Sequence, residues 1–189
     1  YSVLLARRGV TGPEQIFEGA GGFYRCYTLD PPPPLEHFTS GQPPAAIEEL
    51  TVKVYPTCGI HHANIVSALE LKKAHGFAGS DIERVQFYLR EGGGTLVSMP
   101  FALGPTPQVD AQFCAPYAIA LALNKGSVSV ADFTTERIRR DRGTIELALR
   151  TTEVDRFADL ELQHYPSRKR GCNYTKVVLR DGRVLEHES

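Results

Sequence analysis

Several features that mark specialised classes of protein are missing from this 189-residue sequence. Its longest apolar run, "PYAIALAL" at residues 116–123, is far shorter than the ~20 residues that a membrane-spanning helix needs. Basic and acidic residues number 21 and 22, so no excess of positive charge can attract nucleic acid or anionic lipid. The chain has no internal repeat and no low-complexity tail. These absences predict a soluble globular protein that binds neither nucleic acid nor a membrane.

The cysteines form no C-x-x-C pair and are spread along the chain, which is typical of free thiols in a reducing compartment. They are Cys26, Cys58, Cys114 and Cys172. We therefore expect a cytoplasmic protein. The chain begins at Tyr1 without an apolar secretory segment, and both of its ends fall within predicted structural units. We therefore also expect it to be a fragment of a longer protein.

The N-terminal part of the chain predicts the end of a helical unit followed by a linker. The opening "YSVLLARRG" is typical of the last turns of a helix that Gly9 ends, and a short helix is expected over 11–17. The proline-rich stretches "DPPPP" and "SGQPP" fit neither a helix interior nor a central strand. We therefore predict a boundary that separates residues 1–46 from a second domain at 47–189.

The second part alternates strand and helix patterns. The predicted elements are a strand at 49–55, a helix at 61–75 closed by Gly76, a strand at 81–90, a loop to Pro107, helices at 116–125, 134–140 and 144–150, a strand at 154–164, and a hairpin turning at Asp181 and Gly182. Strand, helix and strand over 49–90 indicate a right-handed crossover and a parallel pair. With the hairpin, this predicts an α+β two-layer sandwich built on a mixed sheet.

Residues 52–64, "VKVYPTCGIHHAN", crowd a lysine, a cysteine and two histidines together. Cys58, His61 and His62 are possible zinc ligands. However, adjacent histidines on a helix project about 100° apart, and no second Cys/His pair stands at ligand spacing, so we predict no metal. Cys58 is also a possible nucleophile, activated by the following helix N-terminus with a histidine as base. The alternative is a small buried residue after a turn.

A third interpretation of the same residues is a binding site for a substrate carboxylate. Lys53 lies on the polar face of the predicted strand, near its C-terminal end, and the backbone N–H groups of 57–61 are free to bind an anion at the helix N-terminus. His62 is placed to move a proton. A surface lysine and a histidine hydrogen-bonded at a domain edge would give the same pattern.

The sequence allows two environments for a further residue, Tyr117. Near the start of its helix it either presents a phenol to a cleft or packs in the core with Phe113 and Leu121. The glycine-rich loops "GAGGF" and "EGGGT" lack the spacing of phosphate-binding loops, and we interpret them as turns. The basic runs "RIRRDR" and "SRKRG" are typical of solvated surfaces.

Four separated blocks of the sequence resemble, in order, the second half of MmgE/PrpD family proteins. They are "GVTGPEQIFEGAGGFY", "VKVYPTCGIHHANIVSALEL", "DAQFCAPYAIALALNKG" and "VVLRDGRVLEHES". The family includes 2-methylcitrate dehydratase, cis-aconitate decarboxylase and iminodisuccinate epimerase. The resemblance implies an α+β lid domain preceded by the end of an all-helical domain, which would be the lid's partner in the same protein.

The resemblance also implies roles for individual residues. Lys53 matches the lysine of the family's "K-x-Y-P" block, His62 matches the histidine that closes the motif begun by this block, and Tyr117 matches a cleft tyrosine. Cys58 stands where some members carry a catalytic histidine, and Gly59 stands where an arginine is frequent. We therefore take Lys53, Cys58, His62 and Tyr117 as candidate catalytic residues, and Lys53, His61 and Tyr117 as candidate substrate-binding residues.

The chemistry implied by the family is removal of a proton or of CO2 next to a carboxylate, without metal or organic cofactor. Lys53 and Tyr117 would stabilise the developing charge and His62 would act as acid or base. We expect the lid of a lyase or isomerase for a small polycarboxylate, homodimeric when complete and inactive without the helical domain. The alternative is a non-catalytic module, for anion binding or dimerisation, that keeps the lid fold.

Overall fold

The computed structural model describes five parts of the chain and divides the chain into two compact units. The described residues are 1–16, 26, 52–89, 97–154 and 173–188. The first unit is Tyr1–Thr51 and the second is Val52–Ser189.

The described part of the first unit is a short helix followed by turns. Helix α1, Ser2–Ala6, is exposed along its length, and Gly9 follows it with a φ of 82°, a left-handed conformation that suits glycine after a helix. The helix expected over 11–17 is wrong in its described part, because residues 14–16 form only a turn. A single turn gains too few hydrogen bonds to offset the cost of nucleating a helix. The linker expected before residue 46 lies outside the described residues, apart from residue 26.

The second unit has a layer of helices on one face of a sheet. Its α-helices are α2, His62–His75; α3, Pro107–Gln112; α4, Ala115–Lys125; α5, Thr135–Arg140; and α6, Arg142–Ala148. Short 3₁₀ segments occur at Gly59–His61, Gly79–Asp81 and Val130–Phe133. Helix α6 begins two residues earlier than expected because the Asp141 carboxylate caps it, accepting the Thr144 N–H at 3.0 Å.

Four described strands form one mixed sheet, which confirms the α+β class. The strands are β1, Ile82–Tyr88; β2, Thr151–Glu153; β3, Tyr174–Leu179; and β4, Val184–Glu188. Their order is β2-β1-β3-β4, with β1 parallel to β2 and antiparallel to β3. The predicted hairpin is confirmed, since β3 and β4 pair antiparallel across a turn in which Gly182 has a φ of 89°.

The strand expected at 49–55 is wrong where the structure describes it. Residues 52–55 form no strand, and Val52 and Val54 are 91% and 79% exposed. The predicted crossover is therefore also wrong. The physical reason is that β1 already has a neighbour on each side: β2 pairs with it in parallel and β3 antiparallel. No edge of β1 is left for an earlier strand.

Strand β2, Thr151–Glu153, and helix α3, Pro107–Gln112, were not predicted. Of the strand expected at 154–164, the structure describes only Val154, which is not in a strand; residues 155–164 lie outside the described part of the chain. The loop expected as far as Pro107 ends where helix α3 begins. Proline is at the first turn of this helix, where a missing N–H costs nothing.

The core lies between the sheet and helices α2 and α4. Val85, Phe87 and Leu89 alternate toward it as expected and are at most 2% exposed. Helix α4 is buried on every side from Ala115 to Leu123, because α2 packs against it on one side and α6 on another. Small alanine side chains allow this close approach. The position of α2, and with it the segment that precedes α2, is thereby fixed against the core.

Helix α2 ends at Gly76, whose φ of 63° places it in the left-handed region, and its N–H donates to the Lys72 carbonyl at 2.9 Å. We expect Gly76→Ala to lower the free energy of unfolding by about 1 kcal/mol, because a Cβ is strained at this φ. Urea denaturation measures the change. Gly59→Ala is the matched control: its φ is ordinary and an added Cβ meets no atom within 4 Å. Equal losses in the two variants would contradict the assignment of strain to Gly76.

Candidate functional site

The candidate residues lie on one short segment, residues 53–62, which we call the histidine turn. It enters as exposed chain, bends through Pro56 and Thr57, and forms the 3₁₀ segment Gly59–His61 that leads directly into α2. Cys58 is extended, with φ −61° and ψ 132°, so the chain changes direction there. The arrangement brings Lys53, Cys58, His61 and His62 onto one structural element.

Two carboxamide side chains from other elements hold the backbone of the histidine turn. Gln112, the last residue of α3, donates from Nε2 to the Pro56 carbonyl at 2.9 Å. Its own carbonyl accepts the Cys58 N–H at 2.9 Å. Asn173, just before β3, donates to the Ile60 carbonyl at 3.2 Å. The turn is therefore anchored from two separate parts of the domain.

A third carboxamide, Asn64, anchors the start of α2. It is fully buried, and its Nδ2 lies 2.9 Å from the Tyr174 carbonyl and 3.2 Å from both the Tyr88 carbonyl and the Thr175 hydroxyl. The amide thus joins α2 to the adjoining ends of β1 and β3. Buried polar groups with several partners rigidify the structure around them. The direction in which α2 presents its first residues is fixed by this contact.

His62 is the half-buried histidine of the turn. Its Nε2 lies 3.4 Å from the Thr57 carbonyl oxygen, and its ring stands edge-on to that of Tyr55, with ring centroids 5.4 Å apart. Burial lowers its pKa below the ordinary 6.5, the hydrogen bond to Thr57 opposes this shift, and the charge of Lys53 adds to it. His62 is therefore mainly neutral near pH 7 and able to accept a proton.

His61 is the fully buried histidine of the turn and has no exposed surface. Neither of its ring nitrogens has a hydrogen-bond partner among the described residues. Burial, followed by the effects of His62 and Lys53, lowers its pKa from 6.5 to about 4. His61 is therefore neutral at physiological pH. Sequence reasoning placed it among substrate-binding residues, whereas the structure places it under His62, with ring centroids 6.5 Å apart.

Lys53 and Cys58 are the more accessible members of the turn. Lys53 is exposed, and none of the described carboxylates forms an ion pair with it. Its positive charge acts on both histidines. Cys58 is half-buried and is a free thiol. Among the described residues, no carboxylate compensates the charge of this cation, which lies next to a neutral histidine.

Tyr117 is in the core of the domain, at 1% exposure. Its ring lies 4.6 Å from that of Phe101 and 6.2 Å from that of Phe133, between centroids. Phe113, expected to pack with it, is instead 55% exposed. Burial raises the pKa of Tyr117, and the charges of Asp141 and Asp132 raise it further. The groups that surround this phenol therefore belong to other elements than the histidine turn.

A separate pocket of about 490 Å³ is lined by charged residues of α4, α5 and the segments that flank α5. Its buried floor is Asp132, which accepts the Ser129 N–H at 2.8 Å and the Ser129 hydroxyl at 2.6 Å and forms ion pairs with Lys125 and Arg137. Burial alone would raise the pKa of Asp132, but the hydrogen bonds from Lys125 and Ser129 lower it overall. The carboxylate is therefore fully engaged in holding the fold.

Sequence reasoning missed the carboxamide anchors. Asn64 had a detectable signal, since it is a polar residue next to the buried stripe of α2. Gln112 and Asn173 had none, because their role depends on contacts with residues distant in sequence. Among the described residues, no group of three or more His, Cys, Asp or Glu side chains is arranged to hold a metal ion.

Comparison with known proteins assigns the chain to a family. Residues 55–189 match the model of the MmgE/PrpD C-terminal domain, a span that begins just after Lys53 and includes every described strand. No curated protein matches the chain significantly. In the described parts of the chain, no helix combines the length and apolarity needed to cross a membrane. Because the match covers most of the sequence, the family resemblance is confirmed: this chain belongs to the MmgE/PrpD family and carries its C-terminal domain.

Proposed function

We propose that this chain is the lid of a cofactor-independent lyase or isomerase that removes a proton next to a carboxylate of a small di- or tricarboxylate. The family supports this class of reaction. Turnover would require the helical domain of the same protein, which in this family supplies further catalytic residues. A homodimer in the cytoplasm remains our expectation for the complete protein.

The observation that carries the proposal is the charge arrangement of the histidine turn. Lys53 is exposed and has no carboxylate partner among the described residues, while His61 and His62 beside it have lowered pKa values. A cation that no described carboxylate neutralises is available to an anionic ligand. A neutral histidine next to that cation can take up a proton. Together they match the needs of a reaction that builds negative charge beside a carboxylate.

Each residue of the turn has a proposed role. Lys53 binds the substrate carboxylate and stabilises the enediolate-like charge that develops when the neighbouring proton leaves. His62 accepts or returns that proton from its half-buried position. Cys58 lines the same surface. His61 packs beside His62 as a neutral ring, and Tyr117, a residue of α4, packs in the core.

The test is proton exchange by the full-length protein in D2O. We expect it to replace hydrogen by deuterium next to a carboxylate, or to produce new vinyl or methylene signals, in at least one of 2-methylcitrate, citrate, cis-aconitate and related dicarboxylates. Proton NMR measures both changes. Absence of reaction with every compound would contradict the proposed chemistry for this group of substrates.

A second candidate is a non-catalytic module that binds a small anion. Cys58, at a position where some family members carry a catalytic histidine, and the burial of Tyr117 favour it. The same samples separate the two functions. A carboxylate that shifts the NMR signals of the histidine turn but shows neither exchange nor turnover would support binding alone.

A further inference from the structure

We propose that Gln112 is a positioning residue that sets the tautomer and orientation of His62 through the carbonyl group of Thr57. The inference rests on the proposed function only for its kinetic consequence. The contacts from which it is argued are present in this chain whatever reaction the protein catalyses.

Gln112 holds the histidine turn on both sides of Thr57. Its side-chain amide donates to the carbonyl of Pro56 at 2.9 Å, and its backbone carbonyl accepts the N–H of Cys58 at 2.9 Å. The two contacts together fix the peptide groups that precede and follow Thr57, which is itself buried. The direction of the Thr57 carbonyl is therefore determined by a residue at the end of α3.

The Thr57 carbonyl in turn determines which nitrogen of His62 carries the proton. Nε2 lies 3.4 Å from this oxygen, and a carbonyl oxygen can only accept a hydrogen bond. Nε2 of the neutral ring must therefore be the protonated nitrogen, which leaves the lone pair on Nδ1. The Thr57 carbonyl lies within the segment that Gln112 holds.

The substitution Gln112→Met tests this chain of contacts. Methionine keeps the length of the side chain but cannot donate to Pro56, while the backbone contact with Cys58 is retained. Gln108→Met is the matched control, since Gln108 is an exposed residue of the same helix. Circular dichroism and thermal unfolding establish that both variants are folded.

The first measurement is the tautomer of His62 in the ¹⁵N-labelled chain by long-range ¹H–¹⁵N NMR, with His62→Gln used to assign the signals. We expect the Nε2-protonated form in the wild-type chain and in Gln108→Met, and a mixture of tautomers in Gln112→Met. An Nδ1-protonated His62 in the wild-type chain would overturn the proposal without any variant. A folded Gln112→Met chain with an unchanged tautomer would overturn it as well.

The second measurement is the steady-state kinetics of the full-length protein. We expect Gln112→Met to lower kcat about tenfold, with little change in KM, because a misaligned base slows proton transfer without weakening carboxylate binding. A rise in KM with kcat unchanged would contradict a role in orienting the base. If no carboxylate reacts at all, the proposed function fails, and the NMR result still decides the role of Gln112.

Discussion

Replacing Lys53 with methionine should lower kcat/KM of the full-length protein about a hundredfold for its carboxylate substrate. Lys53 is exposed and is not neutralised by any described carboxylate, so its charge can act on the substrate. Methionine keeps much of the side-chain length and removes only the charge. Steady-state kinetics with the substrate identified by proton exchange measures the loss.

The same variant should also move the pH profile. The charge of Lys53 lowers the pKa of His62, so its removal should raise that pKa and shift the acid limb of kcat/KM to higher pH. Lys73→Met is the matched control, because Lys73 is an exposed lysine in the last turn of α2. Equal activities of the wild-type protein and both variants would rule out an electrostatic role for Lys53.

Lowering the pH from 7.5 to 4 should reduce the free energy of unfolding by about 3 kcal/mol through His61 alone. The pKa of His61 is about 4 in the folded chain and about 6.5 when unfolded. Between these values the unfolded state binds the proton and the folded state does not. Stability from this group is therefore fully present above pH 6.5 and is lost progressively as the pH falls toward 4. Urea denaturation across this range measures the loss.

His61→Leu isolates the contribution of this residue. Leucine does not titrate, and it breaks no hydrogen bond among the described residues, because the ring nitrogens of His61 have no partners there. We compare the free energy of unfolding of the variant with that of the wild-type chain. The difference, variant minus wild type, should be about 2 kcal/mol larger at pH 5 than at pH 7.5. His75→Leu, at the exposed end of α2, is the matched control for replacing a histidine by leucine. A variant His61→Leu with the wild-type slope would show that His61 is not buried in the neutral form.

Local patterns predicted the parts of the fold whose partners are near in sequence or whose burial is one-sided. The alternation of Val85 and Phe87 identified β1, and Asp181 with Gly182 identified the β3–β4 hairpin. Gly76 marked the end of α2, since left-handed residues end helices. These signals depend on properties that each segment carries by itself.

The errors have the opposite origin. Residues 49–55 alternate as clearly as β1 does, but a strand also needs a neighbour with free backbone groups, and β1 has none left. In the candidate site, the sequence identified the histidine turn but not its supports. The role of Gln112 could be recognised only from its contacts with Pro56 and Cys58, which are distant in the sequence.

The buried amide of Asn64 also bears on how the domain is made. Two of its partners, Tyr174 and Thr175, stand 110 and 111 residues further along the chain. During synthesis α2 therefore emerges from the ribosome long before the strand that fixes its first turn. The histidine turn cannot take its final geometry until β3 has been translated and has docked beside β1. Site assembly is thus expected to be a late event in folding, and a chain clipped before β3 would lack the partners that hold the first turn of α2.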